Sequence, residues 1–526
     1  MEGRAEGQES QRALQLAQPI VAVVLLLAAI PRVWAAIGDQ GMLWPDEIYQ
    51  SVEQAHRLAF GYGFVPWEFQ DGARSWLFPG VLGLFWKLGM LVGIGSEPVL
   101  LLLTRLAMVG LALVGIYASM RIAEAFAGPT AALLAGFLGA TFPGSIIYGH
   151  RCMSEMASAP ILAVAALLCL SSDRRRLFAA GLLASVAVFL RYQNGLVAAG
   201  LLVVLLVSPR RRDAIPYAAG AILGGLAGGA LDWLTWGRPF HSFFAYLRFN
   251  VVEGKSADYG TAPFSYYAET AWTSTGIALV AIVVGTMASW RRAPGLLLVV
   301  AVFVIAHSLV GHKEFRFLMP VVPLLLALAS MGLVDLSERL SPRAGPRAGE
   351  PKPTRKASRT RKVEGRPTAK GVAGMLRGMG LQPLVLAVGL CASVLMLERS
   401  SNATLFGIGQ PADPDEGRQS VWHHGEGVNI SLRKAGEEPD LCGVLLAGPS
   451  VVWTGGYTYL HRDVPFLATD VAASELVPFA NYVIMPSMFP APPGYAPLGS
   501  IREWTLLRRQ GACRPAPPNF ARLFER

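Results

Sequence analysis

The chain has 526 residues, 53% hydrophobic and only 16% charged, with a net charge of +10. That apolar balance excludes an ordinary soluble enzyme, and many windows match the ~20 apolar residues a helix needs to cross a bilayer. The positive charge is no sign of nucleic acid, because residues 341–370 alone hold ten Lys/Arg against two Glu, so no nucleic-acid partner is expected.

In chain order, apolar runs place eleven spans near residues 18–37, 98–120, 129–147, 155–171, 177–190, 195–208, 214–233, 272–289, 294–310, 317–335 and 379–397. The first, QPIVAVVLLLAAIPRVWAAIG, has the character of a signal peptide. Ten spans follow it, so it reads as a retained signal anchor. With the N-terminus inside, the turns RIAEAFAGP, SSDRRR, SPRRRD and WRRAP and the basic run all fall on the cytoplasmic side, as the positive-inside bias requires. The basic run is rich in Pro, Ala and Gly and reads as a solvated loop within residues 337–378 that can also touch anionic headgroups. Residues 76–93 are apolar but broken by Pro and Gly, which suits an interfacial or re-entrant position.

After residue 398 the pattern changes. VLLAGPSVVW, ANYVIMP and SIREWTLLRR are β-prone stretches between Pro/Gly turns. The expected fold is an all-α polytopic membrane bundle of about eleven transmembrane helices over residues 1–398, with its first extracytoplasmic loop at 38–97. A small extracytoplasmic α/β domain over residues 399–526 completes it. The five cysteines show no metal spacing, but Cys442 and Cys513 can pair if the tail faces an oxidising compartment. An Ala/Arg-rich chain favours a bacterial inner membrane, or the ER membrane if the source is eukaryotic. The sequons at Asn402 and Asn429 are too common by chance to decide.

Candidate chemistry gathers on the extracytoplasmic face. WPDEIYQSVEQAH sets Asp46 and Glu47 at the exit of the first span. They can mark the water boundary, cap a helix or supply a base. PWEFQDGARSW adds Trp67, Glu68, Asp71 and Arg74 in the same loop, where aromatic side chains suit sugar stacking. GHKEFRF brings His312, Lys313 and Arg316 to headgroup level. Cations at span ends commonly anchor, but an outside cluster with a histidine suits a bound phosphate. Arg105 lies about two turns inside the second span, where an unpaired charge costs on the order of 2.5–3.5 kcal/mol, and Arg191, in FLRYQNG at a span end, is similar. Each therefore needs a partner or a wet cavity. Arg151, in YGHRCMSEM, and Asn250 and Tyr259, in the long aromatic 234–271 loop, join Trp67, Glu68 and Arg74 as candidate substrate contacts.

These blocks resemble the glycosyltransferase family 22 mannosyltransferases, the GT-C-fold enzymes of GPI-anchor and N-glycan assembly, over nearly the whole chain. PDEIYQSVEQAH is similar to the family's His-Pro-Asp-Glu signature, PWEFQDGARSWLFP to its Thr-Trp-Glu-Trp segment, and RLAMVGLALVGIY to its second-span arginine pattern. HRCMSEM, LDWLTWGRP, FNVVEGKSADYGTAPFSYY and HKEFRFLMPVVPLL follow in the family's order. Trp44 stands where the family has histidine, Ser154 where eukaryotic members tend to have asparagine, and the basic loop has no counterpart. The resemblance implies a polyprenyl-phosphate mannose donor, a glycan or glycolipid acceptor, transfer outside the cytoplasm, and Asp46 as the catalytic residue with Glu47 beside it.

The residues fit such chemistry. Phosphate is a good leaving group, so the reaction needs a base for the acceptor hydroxyl and fixed positive charge for the departing phosphate. Asp46 suits the first role and His312, Lys313 and Arg316 the second, with inversion at the sugar carbon. No cofactor or metal is expected. A secondary transporter would instead show internal repeats and midplane charges, and a GT-C transferase of another sugar or aminosugar is the nearer rival.

Overall fold

A computed structural model describes residues 16–341, 381–400, 421–448, 451–469 and 475–515. Beyond Ser341, the basic 341–370 run lies outside them, as does Asn402. The longer helices are numbered α1 (Gln18–Gly38), α2 (Leu77–Leu91), α3 (Glu97–Thr141), α4 (Ser154–Cys169), α5 (Arg174–Leu190), α6 (Gly195–Val207), α7 (Ala214–Trp236), α8 (Ala278–Ala288), α9 (Pro294–Leu309), α10 (Val322–Leu340) and α11 (Gln382–Ser400) in the bundle, and α12 (Glu426–Glu437) in the tail.

A helix lies at each expected span. Among the described residues, however, only five helical stretches are long and apolar enough to cross a bilayer alone: Gln18–Gly38, Glu97–Thr141, Arg211–Trp236, Phe315–Leu340 and Gln382–Arg399. The others are shorter, so length and composition account for five crossings rather than eleven. α3 is itself two helices. Ala127 and Gly128 leave helical geometry, Gly128 at φ 78°, and Pro129 restarts the chain. Beyond this break the chain doubles back, with Gly139 against Ile116 and Gly136 against Met120. Glycine is needed at 128 because only it takes that φ without a Cβ clash.

α1 packs as a working member of the bundle. Its Arg32 is fully buried and donates to the carbonyls of Ala28, Ala140 and Gly139 at 2.7–2.9 Å. α2, the expected interfacial segment, buries one side through Trp86, whose Nε1 donates to Thr104 Oγ1 at 2.8 Å. Its other side exposes Val81, Leu84, Leu88 and Leu91.

The tail holds a five-stranded mixed sheet in the order β2-β1-β3-β5-β4, with β1 Val444–Ala447, β2 Phe466–Thr469, β3 Tyr482–Pro486, β4 Ala496–Ile501 and β5 Trp504–Arg508. β1 is parallel to both its neighbours, and β5 is antiparallel to β3 and β4. Every residue of β1 is buried because both faces of the central strands are covered. Val444 and Leu446 share a core with Leu432 of α12, while Leu445 and Ala447 pack with Val483 and Leu507 on the opposite face. The expected disulfide is present, with Cys442 and Cys513 Cα atoms 5.8 Å apart.

The tail sits directly on the first loop. Tyr49 Oη reaches Thr454 Oγ1 at 3.1 Å. Glu53, fully buried, accepts from the amides of Tyr457 and Thr458 and from Thr458 Oγ1, at 3.2, 2.8 and 2.7 Å. Asn429 of the second sequon is buried, with its amide bonded to Gln40 O and Gly455 N. It presents no surface for glycosylation.

Candidate active site

Residues 45–60 form one helical run, from Pro45–Glu47 through a π turn at Ile48–Val52 to Glu53–Phe60. Pro45 takes the first helical position, where its missing N–H costs nothing. Asp46 and Glu47 then lie in the first turn, where the helix dipole favours negative charge. Successive helical residues are rotated by about 100°, so the two carboxylates point apart.

Asp46 points into a cavity of about 310 Å³, at the lower end of the 300–1,000 Å³ typical of ligand sites. Its side chain is 26% exposed, and Oδ2 lies 2.7 Å from Arg316. Burial alone would raise the Asp46 carboxyl, but the charges of Arg316, Arg74 and Arg191 outweigh it and hold the group below its usual range. Arg316 is saturated: besides Asp46 it donates to Glu155 at 3.0 Å and to Glu314. Arg191 also pairs with Glu155, at 2.7 Å, and lies 4.4 Å over the Phe317 ring. His312 Nε2 is 3.0 Å from Glu314. Glu314 raises its imidazole above the ordinary value even though burial acts the other way.

The opposite wall comes from the first loop and the long aromatic loop. Glu68 is buried and accepts from Gln50 Nε2 at 2.7 Å. Burial, with the Asp46 charge adding to it, pushes its carboxyl up to about 7. Trp67 stacks on Phe249 at 4.1 Å and 27°. Arg74 lies 5.6 Å over the Tyr246 ring and has no carboxylate within ion-pair distance among the described residues, unlike Arg316 and Arg191. Asn250 and Tyr259 line the same space. The loop is held by Asp232 at the end of α7, which accepts from the Ser242 amide at 2.9 Å.

Nine of the expected site residues therefore surround one cavity: Asp46, Trp67, Glu68, Arg74, Arg191, Asn250, Tyr259, His312 and Arg316. Four do not reach it. Glu47 is buried against Arg151 at 2.8 Å, and Arg151 also pairs with Asp39, so neither lines this cavity. Arg105 donates to Asp39 O and, at 2.9 Å, to Tyr459 Oη, joining the bundle to the tail. Lys313 turns inward, its Nζ 2.7 Å from Ala262 O with Val310 O beside it, and knots two loops together. All four buried charges are satisfied, Glu47 and Arg151 by ion pairs and Arg105 and Lys313 by carbonyl or hydroxyl acceptors. Glu155 and Glu314 were missed as organisers, although each is the sole acid in its motif. Gln50, Gln193 and His307 were missed outright.

Comparison with known proteins agrees with this architecture. The chain is 28% identical over 330 residues to GPI mannosyltransferase 3 of Yarrowia lipolytica, covering 61% of this chain and 64% of that protein. It is 26% identical over 307 residues to GPI alpha-1,2-mannosyltransferase 3 of Danio rerio, covering 56% of each. The chain thus spans less than two thirds of the length of these relatives. Both are eukaryotic and lend no support to a bacterial membrane. Among solved structures, ArnT from Cupriavidus metallidurans bound to undecaprenyl phosphate aligns with a TM-score of 0.60 at 14% identity, over 95% of this chain and all of that one. The arabinofuranosyltransferase AftD from Mycobacteria aligns with a TM-score of 0.52 at 16% identity, over 95% of this chain and 40% of that one. These likenesses show a shared GT-C fold. The model of the Alg9-like mannosyltransferase family matches residues 23–366, more than half of the sequence, and the chain belongs to that family.

Proposed function

We propose that the protein transfers a mannosyl residue from a polyprenyl-phosphate donor to a hydroxyl of a glycolipid acceptor at the extracytoplasmic membrane face, with Asp46 as the base. The observation that carries this reading is the single cavity in which a half-buried carboxylate meets Arg74, Arg191 and Arg316 beside apolar helix ends. The names of the relatives point to a GPI-type glycolipid as acceptor.

In this reaction the acceptor oxygen attacks the anomeric carbon, and the bond from that carbon to the phosphate oxygen breaks. The electron pair leaves with the phosphate, and the hydroxyl proton passes to Asp46. One direct displacement inverts the anomeric centre. Arg74, which has no carboxylate partner among the described residues, meets the phosphate first, with Arg191 behind it. A bound phosphate draws on the same positive field that depresses Asp46, so donor binding makes the carboxylate a stronger base when it is needed. The arginines supply the charge stabilisation that a divalent ion supplies elsewhere, so turnover needs no metal.

The test is the full chain in lipid nanodiscs, supplied with polyprenyl-phosphate mannose and a panel of mannosylated glycolipids. Wild-type protein transfers mannose with or without EDTA. Asp46→Asn, melting at the wild-type temperature, loses on the order of 10²–10⁴-fold in rate. Near wild-type turnover by that variant would move the base elsewhere, with Glu68 the next candidate.

A further inference from the structure

His307 lies in the last turn of α9, 6% exposed, on the wall of the same cavity. Its Nδ1 is 2.8 Å from the carbonyl oxygen of Phe303. A carbonyl only accepts, so Nδ1 carries the proton and Nε2 of the neutral ring presents a bare lone pair. The ring is fixed against Phe303, with centroids 4.1 Å apart. Nε2 is buried and has no hydrogen-bond partner among the described residues.

Two other groups on this wall share that condition. Gln193 donates one of its two amide N–H bonds to Tyr246 Oη while its buried Oε1 has no partner among the described residues, and Arg191 Nε is likewise unpartnered there. The wall therefore offers two acceptors beside its N–H donors. A phosphate oxygen only accepts, so it can answer the donors but neither acceptor. A hydroxyl both donates and accepts, and vicinal hydroxyls answer all three. A buried acceptor left unpaired is costly, and a hexose supplies what is missing.

We propose that His307, with Gln193 beside it, reads a hydroxyl of the donor sugar: the hydroxyl donates to Nε2 of His307 when the donor is bound. This makes His307 a specificity residue for the transferred sugar, and it rests on the polyprenyl-phosphate-sugar reading above. It also gives the chain a means of separating hexoses that differ at one hydroxyl, since a site built around a hydrogen bond rejects ligands that lack it.

The experiment measures kcat/KM of the full chain with polyprenyl-phosphate mannose and with its 2-, 3-, 4- and 6-deoxy analogues. His307→Ala should lose about tenfold with the mannose donor, the scale of one hydrogen bond. For one deoxy analogue, wild type should lose the same factor and His307→Ala should lose nothing more. His307→Gln, whose Oε1 can accept in place of Nε2, should recover part of the activity and covers the case of a poorly folded alanine variant. A loss by His307→Ala that multiplies fully with every deoxy penalty would overturn the proposal, as would weaker binding of sugar-free polyprenyl phosphate. No wild-type turnover of any polyprenyl-phosphate sugar would sink the donor reading and this inference together.

Discussion

Two arginines in the cavity make opposite uses of their charge. Arg316 is 3% exposed and bonded to three carboxylates, whereas Arg74 pairs with none among the described residues. Arg316→Ala leaves Asp46, Glu155 and Glu314 short of their counter-ion, and breaking a buried network of this kind costs about 3–5 kcal/mol. Its expected signature is a large fall in melting temperature. Arg74→Ala should melt near wild type and raise the KM for the donor. The reverse pattern would reassign the phosphate to Arg316.

Glu68 gives a test by pH. Its folded carboxyl sits at about 7 against an ordinary 4.5. Between those values the folded state keeps a proton that the unfolded chain has lost, so stability falls as pH rises through the window and levels off above 7. Glu68→Gln has no charge to bury, so its stability advantage over wild type should grow from pH 4.5 to 7 to on the order of 3 kcal/mol. Melting curves across that range measure the gap, and a constant difference would mean that Glu68 stays ionised in the fold. Asp46, Glu68 and Arg316 were legible because their motifs carry acids and cations at a membrane exit. The roles of Glu47 and Arg151 were not, because sequence does not tell which of two adjacent carboxylates turns inward. Nor does it show Asp39 waiting beside Arg151.

At the scale of elements, the tail, through its short helix Gly456–Leu460, holds the helix that carries Asp46. Glu53, two turns along that helix, accepts four hydrogen bonds, three from the tail and one from Phe64 N at 2.9 Å. Glu53→Ala orphans those donors, and each buried unpaired group costs roughly 1–3 kcal/mol. Protease should then release the tail, and transfer should fall with it. Glu53→Gln keeps one acceptor oxygen and should sit between. A tail that stays equally resistant in both variants would show that the apolar contacts around Val428 and Tyr459 suffice. Three of the five strands could be read from β-prone runs. β4 could not, since APLGSI carries Pro and Gly and is an exposed edge, the place where such residues are tolerated. β2 is as short as β1, but Pro465 before it and Asp470 after it cut its apolar run to FLA, so no β-prone stretch registers.

At the scale of the whole molecule, the ends of the helices sort by chemistry. One end carries the cavity, the loops at 148–154, 191–194 and 241–264, and the tail. The other carries Arg210 on Ser171 O and Asp213, and Arg292 between Asp335 and Glu338 at 2.7 and 2.5 Å. Hydropathy made the helices legible; among the described residues five stretches are long and apolar enough to cross alone, while short helices such as α6 and α8 read as spans by composition. The positive-inside bias predicts that the Arg-rich end faces the cytoplasm. Single cysteines test this in a background where Cys152, Cys169 and Cys391, the free cysteines, are replaced and the tail disulfide is kept. In sealed, right-side-out vesicles an impermeant maleimide should label Ala257→Cys, in the cap over the cavity, at once. Ser172→Cys, at the Arg-rich end, should react only after permeabilisation. Both positions are exposed in the fold, so access is set by the membrane and not by burial. Labelling in the opposite order would invert the molecule, placing Asp46 and its arginines on the cytoplasmic face, where the proposed transfer would have to draw its donor from the other leaflet.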